Sequence, residues 1–174
     1  MRLRAVLVVL LGAAVCGLAA SAGDAGAQGK SQAELRKPFI GTWRLVSIEG
    51  GSPTAAATRG DRPTGLIIYD QHGLMSAQIM PDRARPKWTG PPTPEQALEA
   101  LRGYTAYWGT YTIDGKTQTV THHRQGMIDG GAVDFVRRFE LKDGGNRITL
   151  TPVTGNPPVP SATPTHLTWE RVRD

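Results

Sequence analysis

Two stretches decide the fold of this chain. Gly41-Thr42-Trp43 opens the first predicted strand, and Thr168-Trp169-Glu170-Arg171-Val172 closes the last. Strands at both ends of a domain favour a sheet that closes on itself, because closure pairs the edges that an open sheet must protect. A small closed barrel either fills its interior with side chains or holds one small ligand. These stretches therefore predict a closed barrel, but they do not indicate which ligand, if any, it holds.

Short runs of alternating residues lie between these stretches, separated by turn sequences such as Asp70-Gln71-His72-Gly73 and Asp114-Gly115. Strands this short, at this spacing, indicate a barrel or a sandwich, and the terminal strands favour the barrel. A segment from about Pro94 to Tyr104 follows Thr93 as N-cap and has apolar residues at helical spacing. We predict an all-β, antiparallel barrel of about eight strands with one short helix. The predicted strands are 41–49, 64–70, 73–80, 107–113, 116–123, 134–142, 147–151 and 166–172.

The N-terminal segment has the order of a secretory signal peptide: two arginines, an apolar run from Ala5, then small residues that fit cleavage after Ala22 or Ala27. We therefore expect an exported protein, periplasmic or secreted. A retained membrane anchor is the alternative, because no charge falls between Ala5 and Gly23, although its glycines and alanines weaken it as a span. The predicted organisation is a signal peptide and leader over 1–27, a flexible linker over 28–38 and one barrel domain over 39–174.

Composition and charge limit the classes of partner that we expect for this protein. The 174 residues suffice for one sizeable core, and Cys16, the single cysteine, lies within the predicted signal, so the exported domain would stand without disulfides. The formal net charge is +5, but the basic residues are dispersed, and Arg83-Ala84-Arg85-Pro86-Lys87 is the nearest approach to a patch. Nucleic-acid binding would require a basic face with interleaved aromatic residues, so we expect no nucleic-acid partner. We also expect no membrane span once the signal is removed; the oligomeric state is left open.

Several segments together form a pattern that extends over most of the chain: 41–47, Gly65-Leu66-Ile67-Ile68-Tyr69, 73–80, Tyr107-Trp108-Gly109-Thr110-Tyr111, Val120-Thr121-His122-His123, Arg137-Arg138-Phe139-Glu140-Leu141 and Leu167-Thr168-Trp169-Glu170-Arg171. With these segments the chain resembles the bacterial and fungal lipocalin-like domain family from about Phe39 to Arg173. The resemblance implies a calycin-type barrel and no particular reaction. In barrels of this type, the tryptophan of a Gly-x-Trp start plugs one end under a basic residue from the last strand. The resemblance thus implies that Trp43 is the structural plug and that Arg171 or Arg173 is the cation.

Strand alternation predicts which side chains point into the barrel. In 134–142, Arg137 shares a face with Phe135, Phe139 and Leu141, whereas the opposite face is polar. An unpaired buried guanidinium is unfavourable by several kcal/mol. Arg137 therefore needs either an internal carboxylate or an anionic ligand. Glu49 is the best internal candidate, because it is in phase with Trp43.

The other strands also place polar side chains on the predicted inner face of the barrel. His122 shares a face with Val120, and Tyr107 shares one with Tyr111. Both faces of 73–80 are largely apolar, and we favour the set that contains Gln78 as the inward one. We infer a lumen that binds a small hydrophobic or amphipathic molecule with a carboxylate or carbonyl group. In the alternative, the barrel is packed solid and its polar groups pair internally. The candidate ligand-binding residues are Arg137, His122, Tyr111, Tyr107, Gln78, Phe135 and Phe139.

Catalytic and metal motifs are weak. His122 and His123 are adjacent in a strand and face opposite sides, and no metal-ligand spacing occurs, so we expect neither a metal nor a cofactor. The sequence has no Gly-x-Ser-x-Gly elbow and no phosphate loop, which argues against an enzyme. The remaining enzymatic alternative is isomerase- or cyclase-type acid–base chemistry by His122 with Tyr111 or Arg137. A further alternative is a solid barrel that contacts proteins through its proline-rich loops, 81–94 and 152–164.

Overall fold

The computed structural model describes residues 29–131, 133–154, 159–160 and 163–173, so the predicted signal peptide and leader lie outside the described residues. Within these ranges the chain forms strands and a few short helices, as predicted for an all-β protein. The elements are α1 (Gln32–Arg36), β1 (Gly41–Gly50), α2 (Pro53–Arg59), β2 (Thr64–Tyr69), β3 (Leu74–Met80), α3 (Pro94–Leu101), β4 (Thr105–Asp114), β5 (Thr119–Met127), β6 (Asp134–Lys142), β7 (Arg147–Thr154), β8 (Val159–Pro160) and β9 (Thr165–Arg171).

The sheet closes into an antiparallel barrel of eight strands. Each of β1 to β7 pairs with its neighbour in sequence, β7 pairs with β9, and β9 pairs with β1. The terminal strands meet as predicted, with Trp43 opposite Arg171 and Leu45 opposite Trp169. The two residues of β8 pair only with the end of β7 and stand outside this ring. The predicted eight-stranded antiparallel barrel is therefore confirmed.

The prediction of a single helix was incomplete. α3 is present and begins at Pro94 behind a capping box formed by Thr93 and Gln96. α2 occupies a segment that we predicted as loop. Its start is stabilised by Ser52, whose Oγ accepts a hydrogen bond from the backbone N–H of Ala55. The helix lacks the apolar periodicity from which a helix is usually recognised, and none of its residues is buried.

The two ends of the barrel differ. Tight turns join β2 to β3, β4 to β5 and β6 to β7 at one end, which we call the capped end. The connections 51–63 and 81–104, with residues 128–131 after β5 and 163–164 before β9, belong to the other, the open end. The Asp70–Gly73 turn has Gly73 at φ +90°, the positive φ expected of it.

α1 covers the capped end. Gln32 exchanges two hydrogen bonds with the backbone of Ile113, at 2.7 and 3.0 Å, and Arg36 donates one to the carbonyl of Tyr111 at 3.1 Å. α1 lies within the segment 28–38 that we predicted as a linker. A capping box between Ser31 and Glu34 begins the helix, and its side chains then bind the end of β4.

Aromatic rings fill the capped end from inside. Phe39 packs edge-on against Tyr69 and Phe139, with ring centroids 5.7 and 4.9 Å apart, and Tyr69 packs against Tyr111 at 4.8 Å. Trp43 is completely buried in the same core cluster. Such edge-to-face pairs add to the stability gained from burying the rings. This half of the barrel is consequently packed with side chains.

Arg171, in the last strand, contacts residues at the start of the first strand at the capped end. Its guanidinium carbon lies 4.2 Å from the centroid of the Trp43 ring. It also donates hydrogen bonds to the carbonyls of Pro38, Ile40 and Gly145. Arg171, rather than Arg173, therefore makes the contact expected of a cation over the plug tryptophan.

Replacing Arg171 should destabilise the fold while a neighbouring arginine should not matter. Arg171→Met retains an apolar stem but loses the stacking contact and the charged hydrogen bonds, so we expect the free energy of unfolding to fall by about 2–4 kcal/mol. Arg173→Met, at an exposed position, should change it by less than about 0.5 kcal/mol. Urea unfolding of both variants measures the difference, and equal effects would contradict the role given to Arg171.

Candidate binding site in the barrel interior

The candidate site is built from three neighbouring strands. Tyr111 of β4 lies opposite His122 of β5, which lies opposite Phe135 of β6, and Val120 lies opposite Arg137 one step further along. Because alternate residues of a strand share a face, His122 and Arg137 project to the same side of the sheet. Both are buried, so this side is the barrel interior.

His122 is held between two tyrosine hydroxyls. Its Nε2 lies 2.7 Å from the Tyr69 hydroxyl and its Nδ1 lies 2.9 Å from the Tyr107 hydroxyl. The imidazole is completely buried, and this burial, assisted by the positive charge of Arg137, holds the pKa of His122 well below its usual 6.5. Burial also raises the pKa of Tyr69 well above 10. His122 and Tyr69 are therefore neutral at pH 7.

Arg137 is the most unusual group of the interior. It is 5% exposed, and its Nε and Nη1 atoms are buried without a hydrogen-bond partner. Its guanidinium carbon lies over the ring of Phe135, with 3.9 Å between Cζ and the ring centroid. A cation–π contact of this kind is worth about 0.5–2 kcal/mol, which does not offset the loss of hydration of two nitrogens that carry N–H donors.

Arg124 is a second buried arginine nearby. Its Cζ lies 5.5 Å from the ring centroid of Tyr107 and 5.4 Å from that of Phe135. Its Nη1 binds the exposed carboxylate of Asp129 at 3.2 Å. Phe135 thus contacts both arginines, and the interior next to it is rich in positive charge.

Three of the predicted ligand-binding residues lie elsewhere. Tyr111 donates its hydroxyl to the carbonyl of Asp70 at 2.8 Å, and Phe139 packs on Phe39, so both belong to the core of the capped end. Gln78 points outward, and the prediction that its face of β3 lines the lumen was wrong. Met75, Ala77 and Ile79 face inward instead. The outward face is partly apolar because of Leu74 and Met80, which is why the wrong face was chosen.

Glu49 does not pair with Arg137. A β-bulge between Leu45 and Ser47 shifts the alternation of β1 by one residue, so Ile48 packs against the core and Glu49 is exposed. Its carboxylate accepts a hydrogen bond from Ser47 at 2.9 Å. The internal partner suggested for Arg137 is therefore excluded.

Two residues of the site were missed in the sequence. Arg124 follows Val120 and His122 at the same alternation, but we ended this strand at His123, whereas β5 continues to Met127. Tyr69 was placed in an apolar run without an assigned face. Its register opposite Met75 depends on the β2–β3 hairpin, and its contact with His122 joins strands that are 53 residues apart.

Two cavities lie beside the strands near the open end. One, of about 350 Å³, includes Leu66, Gln78, Met80 and Tyr104 in its lining. The other, of about 290 Å³, is lined by Gln78, Tyr107, Trp108 and Met127 among others. Gln78 thus lines outer depressions rather than the interior. In the part of the chain that the structure describes, no cluster of three metal-ligating side chains is found, and no helix is long and apolar enough to cross a membrane.

The model of the family described as "Lipocalin-like domain" matches residues 40–172. The chain belongs to this family. Among solved structures, the wild-type fluorescent protein UnaG is similar at 13% identity with a TM-score of 0.38, covering 79% of this chain and 99% of UnaG. A point mutant of UnaG gives 14% identity and the same TM-score, with 80% and 99% coverage. A search among curated proteins gives no significant match.

The low pKa of His122 in this lipocalin-like barrel predicts a loss of stability in acid. In the unfolded chain the imidazole takes up a proton near pH 6.5, whereas in the folded protein it stays neutral. The free energy of unfolding should therefore fall by up to about 1.4 kcal/mol for each pH unit below about 6.5. His122→Gln should remove this component, and His72→Gln, at an exposed position, should retain it. Urea titrations at pH 7, 6 and 5 measure the slopes; an unchanged slope in His122→Gln would contradict the buried neutral state.

Proposed function

We propose that this lipocalin-like protein binds a small hydrophobic or amphipathic molecule inside its barrel, with a carboxylate of the ligand on Arg137. The observation that carries the proposal is the buried guanidinium, whose Nε and Nη1 have no hydrogen-bond partner. A carboxylate would accept these hydrogen bonds and neutralise the charge. Charge-assisted hydrogen bonds of this kind are stronger than neutral ones and orient the ligand.

The acceptor is not supplied by the described residues. Their buried polar and charged side chains are Thr119, His122, Arg124 and Arg137, and no carboxylate is among them. The nearby carboxylates are engaged outside the core: Asp129 with Arg124, and Asp134 with His123 at 2.9 Å. A buried cation without a counter-ion is strongly disfavoured, so an anion brought in by a ligand fits this position.

The distribution of apolar side chains supports an amphipathic ligand. The apolar side chains of Ile48, Met127 and Phe135 are only partly buried. These residues belong to the segments of β1, β5 and β6 that lie next to the open-end connections. An apolar body that covered them would be removed from water, which contributes about 25 cal/mol per Å² of buried apolar surface. A carboxylate head with an apolar body matches both features.

The same geometry favours binding over acid–base catalysis. Both ring nitrogens of His122 are occupied by tyrosine hydroxyls, and its low pKa makes it a weak base. Tyr111, which we considered as its catalytic partner, is bound to the carbonyl of Asp70 instead. An isomerase- or cyclase-type reaction thus has less support than a carrier or sensor role.

Arg137→Met should weaken ligand binding and, at the same time, stabilise the protein without ligand. We expect the dissociation constant for a saturated fatty acid such as decanoate to rise at least tenfold, because a charged hydrogen bond worth about 1.5–3 kcal/mol is lost. The free energy of unfolding without ligand should rise by about 1–3 kcal/mol, because an uncompensated buried charge is removed. Isothermal titration calorimetry with C8–C16 acids and urea unfolding measure the two effects.

Arg138→Met is the matched control, because the adjacent Arg138 is exposed on the outer face. It should leave both the affinity and the stability close to those of the parent protein. If no acid of the panel binds the parent protein, or if Arg137→Met binds equally well, the carboxylate proposal fails. Native mass spectrometry of the protein as purified gives an independent measurement, since a retained ligand reports its own mass.

We further propose that the protein is exported to the periplasm or secreted. The support is the order of the first 27 residues, in which basic, apolar and small residues follow one another as in a signal peptide. When the full-length chain is expressed in a bacterial host, the mass of the protein recovered from the exported fraction should lack the first 22 or 27 residues. An uncleaved chain found only in the membrane fraction would instead support a retained anchor.

A further inference from the structure

We infer that the Tyr69–His122–Tyr107 chain is a second contact point for the ligand, and that it selects among carboxylic acids. It presents one tyrosine O–H to an acceptor oxygen on the bound molecule. The preferred ligand class is therefore an acid with a second oxygen along its apolar body, as in oxo or hydroxy acids. This inference rests on the proposed binding of a carboxylate by Arg137 and adds to it the chemistry of the remainder of the ligand.

A count of hydrogens leads to this assignment. A neutral imidazole carries one N–H donor and one acceptor nitrogen, and each tyrosine carries one O–H. The two contacts of His122, at 2.7 and 2.9 Å, use two of these three donors. The third donor is the O–H of whichever tyrosine accepts the imidazole N–H.

This third donor has no acceptor within the described part of the protein. Neither tyrosine oxygen makes a second hydrogen bond there. Tyr69 is 1% exposed and Tyr107 is 5% exposed, so water does not readily satisfy the group. A buried hydroxyl that lacks an acceptor is unfavourable, and an oxygen of the ligand would remove this penalty.

The count depends on a neutral imidazole at His122 and a protonated hydroxyl at Tyr69. Burial keeps the pKa of His122 below and that of Tyr69 above their usual values, so both remain neutral at pH 7. The free O–H then belongs to Tyr107 if Nδ1 carries the proton, and to Tyr69 if Nε2 carries it. The two tautomers of His122 therefore present the donor from two different positions, and a bound ligand selects one of them.

The free hydroxyl lies in the same region as Arg137. Phe135, on which the guanidinium stacks at 3.9 Å, is directly opposite His122 in the β5–β6 ladder. The charge of Arg137 also acts on both His122 and Tyr69. Guanidinium and hydroxyl are both donors at this site, so a ligand with two acceptor groups satisfies more of them than a plain fatty acid does.

The test compares acids of equal length. Calorimetry on the full protein would use decanoate and decanoates with a single oxo or hydroxy group at different carbons. At least one oxo or hydroxy acid should bind about tenfold more tightly than decanoate, the effect of one additional hydrogen bond. The double variant Tyr69→Phe/Tyr107→Phe should lose this preference and bind the oxo or hydroxy acid no more tightly than decanoate. Tyr111→Phe, whose hydroxyl is engaged at the capped end, should keep the preference.

A second readout uses the unaltered protein. Nitrogen-15 NMR of the His122 ring distinguishes the two neutral tautomers, and the preferred acid should shift their populations toward one. This measurement stands even if the double variant fails to fold. Decanoate binding without any preference among the acids, or an unchanged tautomer ratio on binding, would overturn the tyrosine assignment and leave the role of Arg137 intact. Failure of every acid to bind would instead remove the proposed function itself.

Discussion

The pairing of β1 with β9 is the interaction on which the rest of the structure depends. It runs from Trp43 opposite Arg171 to Gly50 opposite Thr165 and joins the first and last strands of the barrel. Without it both strands would have exposed edges, and the inward side chains on either side would be open to water. The same pairing holds Arg171 over Trp43 and within reach of the carbonyls of residues 38, 40 and 145. The β1–β9 pairing therefore closes the barrel and also positions the side chain that covers one of its ends.

Closure also explains why the interior has two different halves. At the capped end, rings from Phe39, Tyr69, Tyr111 and Phe139 contact one another, and the hydroxyl of Tyr111 is satisfied by backbone. Beyond them, inward positions of β5 and β6 are occupied by the buried polar side chains of His122 and Arg137. Polar groups at such positions lower stability, and a well-packed neighbouring half can compensate for them. The uneven core is the pattern expected of a barrel that gives up some stability for binding.

Much of this arrangement follows from local sequence, and the parts that do not have identifiable reasons. The hairpin turns at Asp70–Gly73 and Asp114-Gly115 and the alternation of β6 are local signals, so the strands and the inward direction of Arg137 could be predicted. The faces of β3 were misassigned, because its outer face carries exposed Leu74 and Met80 beside the polar Ser76 and Gln78 and is therefore partly apolar. The environment of His122 could not be predicted either, since Tyr69 reaches it across the barrel interior from a distant part of the chain. Strand alternation predicts which face of the sheet a side chain lies on, whereas its neighbours across the barrel follow only from the register of the closed sheet.

The bulge in β1 shows how much a single residue can decide. With regular alternation, Glu49 would follow Trp43 and Leu45 into the interior and could neutralise Arg137. The shift between Leu45 and Ser47 instead turns Ile48 toward the core, opposite Leu167, and turns Glu49 toward solvent. One extra residue in a strand thus exchanges a carboxylate for an aliphatic side chain at the barrel wall. Arg137 is therefore left without a counter-ion from β1. The bulge in β1 thus preserves the positive charge in β6 on which we propose that ligand binding depends.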